Sequence, residues 1–266
     1  MERIVPRAPV TEALTAAQMA VATRVLQQEE ASREHVVVYL SGAHAYGFPS
    51  PDSDLDLKAI HVARTTDLLG FEVPPPTHDR AEVIDGVEID YTSNELAHAL
   101  VGILAGNGNF LERVLGRMTV LGSPLLAELQ ALCTQALSQR VHKHYRGFAL
   151  NQLRFLEKGP TVKKLLYVLR TATTGIHLLT TGELEPDLTR LVDRYDLEDA
   201  AALVLQKRTG ERVGIDPALL EAWRPKVERL LARLDEARET SVLPEHPTNE
   251  ALVREWLLSV RKTRLT

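Results

Sequence analysis

Between residues 36 and 42 the chain reads VVVYLSG, short, β-branched and continuously apolar up to a glycine, which predicts a buried strand. A second strand is predicted over residues 55–60, where Leu55, Leu57, Ala59 and Ile60 alternate with Asp54, Asp56 and Lys58 to give an apolar and a polar face. Ahead of both, Leu14, Ala17, Val21 and Val25 recur at helical spacing, so residues 11–31 read as a helix with Thr11 as its N-cap. The segment joining the strands holds Gly42, Gly47, Pro49, Ser50 and Pro51 and reads as a loop. Residues 72–79 (EVPPPTHD) predict an exposed proline-rich loop. The run AEVIDGVEIDYTS then predicts a β-hairpin turning at Asp85-Gly86, and residues 93–105 a helix with Ser93 as N-cap.

From residue 124 onward the apolar spacing is helical, over 124–158, 161–182, about 187–206, 217–239 and 248–262. Gly182 and Gly210 serve as stops, and Pro160, Pro186, Pro217, Pro225 and Pro247 mark starts. The pattern therefore predicts an α+β protein. A small mixed β-sheet domain with helices spans residues 1–122, and an all-helical domain spans residues 123–266. No repeat or low-complexity segment interrupts either half.

Composition narrows this picture only a little. An apolar fraction of 44% and a charged fraction of 25% are those of an ordinary globular protein. Cys133 is the single cysteine, so an internal disulfide is excluded, and its place among Leu126, Leu129 and Leu137 reads as core. No apolar run reaches the roughly 18 residues of a membrane span, and the start MERIVPRAPV lacks a signal peptide's apolar stretch. The expected location is the cytoplasm. A net charge of −5 argues against a surface coated in positive charge for duplex binding, though a local basic patch would still serve.

The chemistry concentrates in residues 41–62, SGAHAYGFPSPDSDLDLKAIHV. Residues two apart on a strand share a face, so Asp54 and Asp56 set two carboxylates side by side. Their repulsion is costly unless a cation or proton lies between them, and magnesium prefers such oxygen ligands. The glycine-containing loop before them lets backbone N–H groups approach a phosphate. In the hairpin, Glu88 and Asp90 share one strand face, and Asp90 is the candidate third acid of a two-metal site. Each element alone is also an ordinary solvated feature; their order along the chain is what is specific.

Taken together, these segments resemble the DNA polymerase beta superfamily of nucleotidyltransferases: an apolar strand, Gly-Ser, about ten residues, Asp-x-Asp, and a later acid on a strand. More narrowly, the segment is similar to the RNA-repair-pathway branch (RlaP), which reads Gly-Ser-x-Ala-Tyr-Gly and then Ser-Asp-x-Asp. The similarity continues in Gly106-Asn107-Gly108-Asn109-Phe110-Leu111-Glu112, in the helical stretch from Lys163 and Lys164 to Arg170, and in Pro247-Thr248-Asn249. The resemblance implies that Asp54, Asp56 and Asp90 are catalytic and hold Mg2+ or Mn2+, Asp90 helping to activate the attacking hydroxyl. It implies nucleotide binding at Gly42, which opens the phosphate-binding loop, at Ala43 and Ser53, and at Lys163, Lys164 and Arg170. The family serine falls at Ala43, so one hydroxyl is missing; Ser41, Ser50 and Ser53 are the candidates to substitute for it.

The implied reaction is transfer of a nucleoside monophosphate from a nucleoside triphosphate, ATP among them, to a hydroxyl, with the C-terminal helices forming one wall of the cleft. The family association suggests an RNA end as acceptor. His142, Lys143, His144 and Arg146 are a candidate basic cluster for that RNA. Two alternatives stay open. The same chemistry serves a protein side chain or a small alcohol, and a degenerate member would bind nucleotide or RNA, or act as an antitoxin-like partner, without catalysis. No membrane partner is expected, and the sequence leaves the oligomeric state open.

Overall fold

The computed structural model describes residues 8–265, so the reading of the N-terminal start falls largely outside the described residues. Along the chain lie α1 (Ala8–Ala13), α2 (Ala16–Glu30), β1 (Glu34–Leu40), a single turn α3 (Gly42–Ala45), β2 (Leu55–Val62) and a second turn α4 (Thr65–Leu68). There follow β3 (Thr77–Ile84), β4 (Val87–Glu95), α5 (Leu96–Leu104), α6 (Gly108–Leu115), β5 (Thr119–Gly122) and α7 (Leu125–Ala136). The remainder is helical: α8 (Val141–Lys158), α9 (Val162–Thr181), α10 (Ala200–Lys207), α11 (Pro217–Glu239) and α12 (Glu250–Lys262). The fold is thus mixed α+β, with a helical C-terminal part. The described residues divide into two compact units, one of residues 8–42, 54–136 and 247–265, the other of Ala43–Ser53 and Leu137–His246.

The first unit is built on a five-stranded sheet in the order β3-β4-β2-β1-β5. β2 is its middle strand, antiparallel to β1 and parallel to β4. β1 is apolar because it has no wet face: Val36, Val37, Val38 and Leu40 are fully buried. β2 alternates as the sequence requires, with Leu55, Leu57 and Ala59 buried and Asp56 and Lys58 half-buried. α2, α5 and α6 pack against the sheet, and α12 packs on α5 and α7. Asn249, at the start of α12, donates from Nδ2 to the Leu132 carbonyl at 2.9 Å, so the Pro-Thr-Asn segment ties the last helix into this unit.

Several boundaries differ from the sequence pattern. The first helix is broken at Thr15, whose side chain and Gln18 form a capping box, so Thr15 rather than Thr11 caps the long helix. Asp85 and Gly86 have φ of 50° and 79°, the left-handed pair that a two-residue hairpin turn requires. Ser93 is not an N-cap. β4 runs on to Glu95, Ser93 is buried with its hydroxyl 2.7 Å from His61 Nδ1, and Glu95 caps α5 by accepting from Ala97 N. Asp56 and Asp90 lie on the middle strand of the sheet and its parallel neighbour, and Asp54 just ahead of the former.

In the second unit α8, α9 and α11 pack on one another and α10 packs on α9. The predicted helix over 124–158 is two helices, α7 and α8, since Gln139 turns aside to bond the Pro244 and Leu243 carbonyls. The predicted helix near 187–206 is two short 3-10 turns followed by α10, with Asp196 at φ 58° breaking the helical path. The loop Ala43–Ser53 is wired to this unit: Arg208 donates to the Gly47 carbonyl, and Asp52 accepts from Glu211 N.

Candidate active site

Asp54 precedes β2 by one residue and is half-buried; Asp56 lies within β2. In the parallel β2–β4 ladder Asp56 stands directly opposite Asp90. Their carboxylates are drawn to one cation, since Lys58 Nζ lies 2.8 Å from Asp90 Oδ2 and 3.8 Å from Asp56 Oδ1. The Lys58 ammonium also donates to Thr92 Oγ1 at 3.3 Å. Lys58 sits on the polar face of β2, two residues after Asp56, so the alternation that exposed the acids also pointed to this lysine.

Gly42 completes this corner. Its φ is +64°, and a Cβ built there would meet Asp56 Oδ2 at 1.9 Å. The backbone can pass this close to the carboxylate only because the residue is glycine. The left-handed conformation alone costs a substituted residue about 1–2 kcal/mol. Gly42→Ala is therefore expected to lower unfolding free energy by at least that much in a urea titration. An unchanged midpoint would show that the loop relaxes without cost.

A divalent ion suits the chemistry of this donor set: Asp56 and Asp90 already share one positive charge, and both are hard oxygen ligands. Among the described residues, no three acidic, histidine or cysteine side chains are yet gathered tightly enough to hold a metal. Lys58 supplies the charge between the two strands that an ion would supply.

The remaining candidates lie in the second unit. Ser53 is buried, and its hydroxyl meets Glu211 Oε2 at 3.2 Å. Lys163 Nζ pairs with the other oxygen of Glu211. Lys164 faces elsewhere, donating to the Gly159 carbonyl at 2.5 Å just ahead of α9. Arg170 is buried, with its guanidinium carbon 3.6 Å from the centre of the Tyr46 ring. Tyr46 and Phe48 of the loop pack on Tyr167, between Lys163 and Arg170 on α9, with ring centres 5.5 and 5.8 Å away. Ala43 is buried in the α3 turn.

Two side chains of this region escaped the sequence reading. Lys207 is fully buried, and Glu211 receives its ammonium at 2.6 Å. The signal was present: Ala200, Leu203, Val204 and Lys207 share a helical stripe, and a lysine in an apolar stripe is out of place without a partner.

The basic cluster on α8 is less free than its sequence suggested. His142 Nε2 and Arg146 Nε both bond Asp235 Oδ1 of α11, at 2.8 and 2.6 Å. The Arg146 guanidinium, with help from His142, holds the Asp235 carboxyl below its usual range. His144 stacks on Phe148, and Lys143 is exposed. Cys133 is buried, and burial pushes its thiol up, as a core residue requires.

A family model described as RlaP, RNA repair pathway DNA polymerase beta family, matches residues 19–259. The chain is 27% identical over 225 residues to the uncharacterized protein MJ0002 of Methanocaldococcus jannaschii, covering 82% of this chain and 90% of that protein. It is 27% identical over 229 residues to the uncharacterized protein YcgL of Bacillus subtilis, covering 80% and 85%. A solved nucleotidyltransferase-like protein from Exiguobacterium sibiricum aligns over 92% of this chain and 80% of its own, at 11% identity and a TM-score of 0.33. At that score nothing about the site follows from the alignment.

Proposed function

This chain belongs to the RNA repair pathway DNA polymerase beta family, and we propose that it is a metal-dependent nucleotidyltransferase acting on a hydroxyl acceptor, an RNA end first among the candidates. The observation that carries the proposal is the register of Asp56 against Asp90 on adjacent parallel strands, with the Gly42 backbone against the Asp56 carboxylate. Asp54, Asp56 and Asp90 would hold Mg2+ or Mn2+, which when bound neutralises triphosphate charge and lowers the pKa of the attacking hydroxyl.

The chain's own residues do the rest. Asp90, the most exposed of the three acids, would accept the proton of the acceptor hydroxyl. The acceptor oxygen bonds to the α-phosphorus, the bond to the bridging oxygen breaks, and pyrophosphate leaves. Lys58 keeps the two strands' carboxylates together when no other cation does so, and would be displaced toward Thr92 when one arrives. Gly42 would meet the triphosphate; in the second unit Ala43, Ser53 and Lys163 are the residues proposed to contact nucleotide, whereas Lys164 is turned to the Gly159 carbonyl and Arg170 to the Tyr46 ring. Catalysis of this kind is mostly positioning and electrostatics.

Ala43 sets a measurable limit. Restoring a hydroxyl with Ala43→Ser is expected to tighten triphosphate binding by up to about 1.5–3 kcal/mol, the worth of one hydrogen bond to a charged group. Calorimetry with magnesium present reads this directly. Unchanged affinity would mean that another hydroxyl already fills the role.

The acceptor has a second reading. A protein side chain or a small alcohol is favoured by the net charge of −5 and by Asp235, which engages two of the four basic residues on α8. Fluorescence anisotropy of single-stranded RNA at several salt concentrations separates the two. An RNA acceptor should give a log–log salt slope of about 0.7 per phosphate contact. Undetectable RNA binding at low salt would remove RNA and leave the other acceptors.

A further inference from the structure

The second unit contains a carboxylate surrounded as a phosphate would be. Glu211 sits in the turn after α10, and one of its oxygens, Oε2, accepts from Lys207 Nζ at 2.6 Å and from Ser53 Oγ at 3.2 Å, with Ser50 Oγ at 3.5 Å. Its other oxygen pairs with Lys163 Nζ. The two hydroxyls lie 3.0 Å apart, and Ser53 Oγ accepts from Ser50 N at 2.9 Å. Lys207 also donates to Ser50 Oγ at 2.7 Å. Lys207, Ser50 and Ser53 are nearly or wholly buried, whereas the Glu211 side chain retains 17% exposure and Lys163 33%. The pocket therefore has a buried floor of one ammonium and two hydroxyls, and a second ammonium toward its rim.

Two full positive charges on one carboxylate are more than a structural ion pair needs. A buried lysine requires one good partner, and an i,i+4 glutamate would suffice. Lysines and hydroxyls converging from a loop and two helices are the donor set that cradles a phosphate oxyanion. Glu211 is not built into a helix, so rotation of its side chain alone would withdraw the carboxylate. Asp52 holds the Glu211 backbone by accepting from its N–H at 3.0 Å, so the turn can stay while the side chain leaves.

We propose that Ser50, Ser53, Lys163 and Lys207 form a phosphate pocket which the Glu211 carboxylate fills, and that the polyphosphate tail of a nucleotide displaces that carboxylate. Glu211 then acts as a built-in competitor that a mono-anionic or weakly held ligand does not evict. That the ligand is a nucleotide rests on the nucleotidyltransferase reading; the pocket itself does not.

The test uses the full chain without metal, in EDTA, and inorganic tripolyphosphate as probe. Glu211→Gln removes the competing charge and is expected to bind tripolyphosphate at least tenfold more tightly than the wild type by calorimetry. Adding Lys163→Ala to that variant should return affinity to the wild-type level or below. Because Lys207 loses its carboxylate, Glu211→Gln should also melt at lower temperature, and tripolyphosphate should raise its Tm more than that of the wild type. ATP should behave as tripolyphosphate does, and AMP should bind far more weakly. Should Glu211→Gln fail to fold, Glu211→Asp, one methylene shorter, is expected to show a smaller gain in affinity. Wild-type or weaker tripolyphosphate affinity in the folded variant, or equal Tm shifts in both proteins, overturns the proposal. Tighter tripolyphosphate binding without any nucleotidyl transfer would keep the pocket and remove the nucleotidyltransferase; transfer without tightening would do the reverse.

Discussion

Asp56→Ala is expected to lower the rate of nucleotidyl transfer by roughly a thousandfold or more while leaving a folded protein. If Asp56 holds the ion as proposed, its loss would remove several kcal/mol of transition-state stabilisation, and about 4 kcal/mol corresponds to three orders of magnitude. The fold should persist because the side chain contributes charge, not core volume. It is half-buried, its neighbours Leu55 and Leu57 remain fully buried, and Lys58 keeps Asp90 at 2.8 Å. Asp54→Ala should behave alike. Steady-state rates at saturating magnesium, with circular dichroism as the check on folding, read both effects. Wild-type turnover in both variants would mean that these acids do not carry the chemistry.

Acidification should destabilise the protein steeply between about pH 6.5 and 4. His35 and His61 sit in the sheet unit, 4% and 7% exposed, with ring nitrogens 2.7 Å from the hydroxyls of Tyr91 and Ser93. Burial, reinforced at His35 by His61 and Arg33, pushes its pKa down to about 4, and burial outweighs the opposing pull of Glu95 to bring His61 to about 4 as well. In the unfolded chain both titrate near their ordinary value of about 6.5. Across that window the unfolded state binds more protons, so stability is full above the unfolded pKa, falls as pH drops toward 4, and levels off below it. Each histidine contributes up to about 1.4 kcal/mol per pH unit there. Urea midpoints between pH 7 and 5, above the range where most carboxylates protonate, isolate the effect. His177, which burial also holds below its ordinary value, adds to the slope, so His61→Asn, which keeps a polar atom near Ser93, should reduce it by less than half. A flat profile down to pH 5 would show that these rings are protonated in the folded protein.

How much of this was legible depended on how local each signal is. β1 and β2 announced themselves through alternation and β-branching, and the Asp85-Gly86 turn through residues that tolerate positive φ. The strand register could not be read, because Asp56 meets Asp90 only through a parallel pairing between segments separated by a whole strand. β5 was missed because four residues at a sheet edge carry no periodicity, and α6 because its eight residues begin on the second glycine of a Gly-Asn-Gly, whose Asn107 caps the helix. The acids were visible as types at a spacing, and so was Lys58. The Glu211 cluster was not, since its members come from residues 50–53, 163 and 207–211, brought together only by the helical packing of the second unit.

The most direct test of the central claim is incubation of the purified chain with each α-labelled nucleoside triphosphate, magnesium or manganese, and separate pools of total RNA, protein and small metabolites. The account predicts label transferred to one of those pools, RNA foremost, with stoichiometric pyrophosphate, abolished by EDTA and by Asp54→Ala or Asp56→Ala. Triphosphates left intact in every pool with either metal, by a protein shown to be folded, would contradict it.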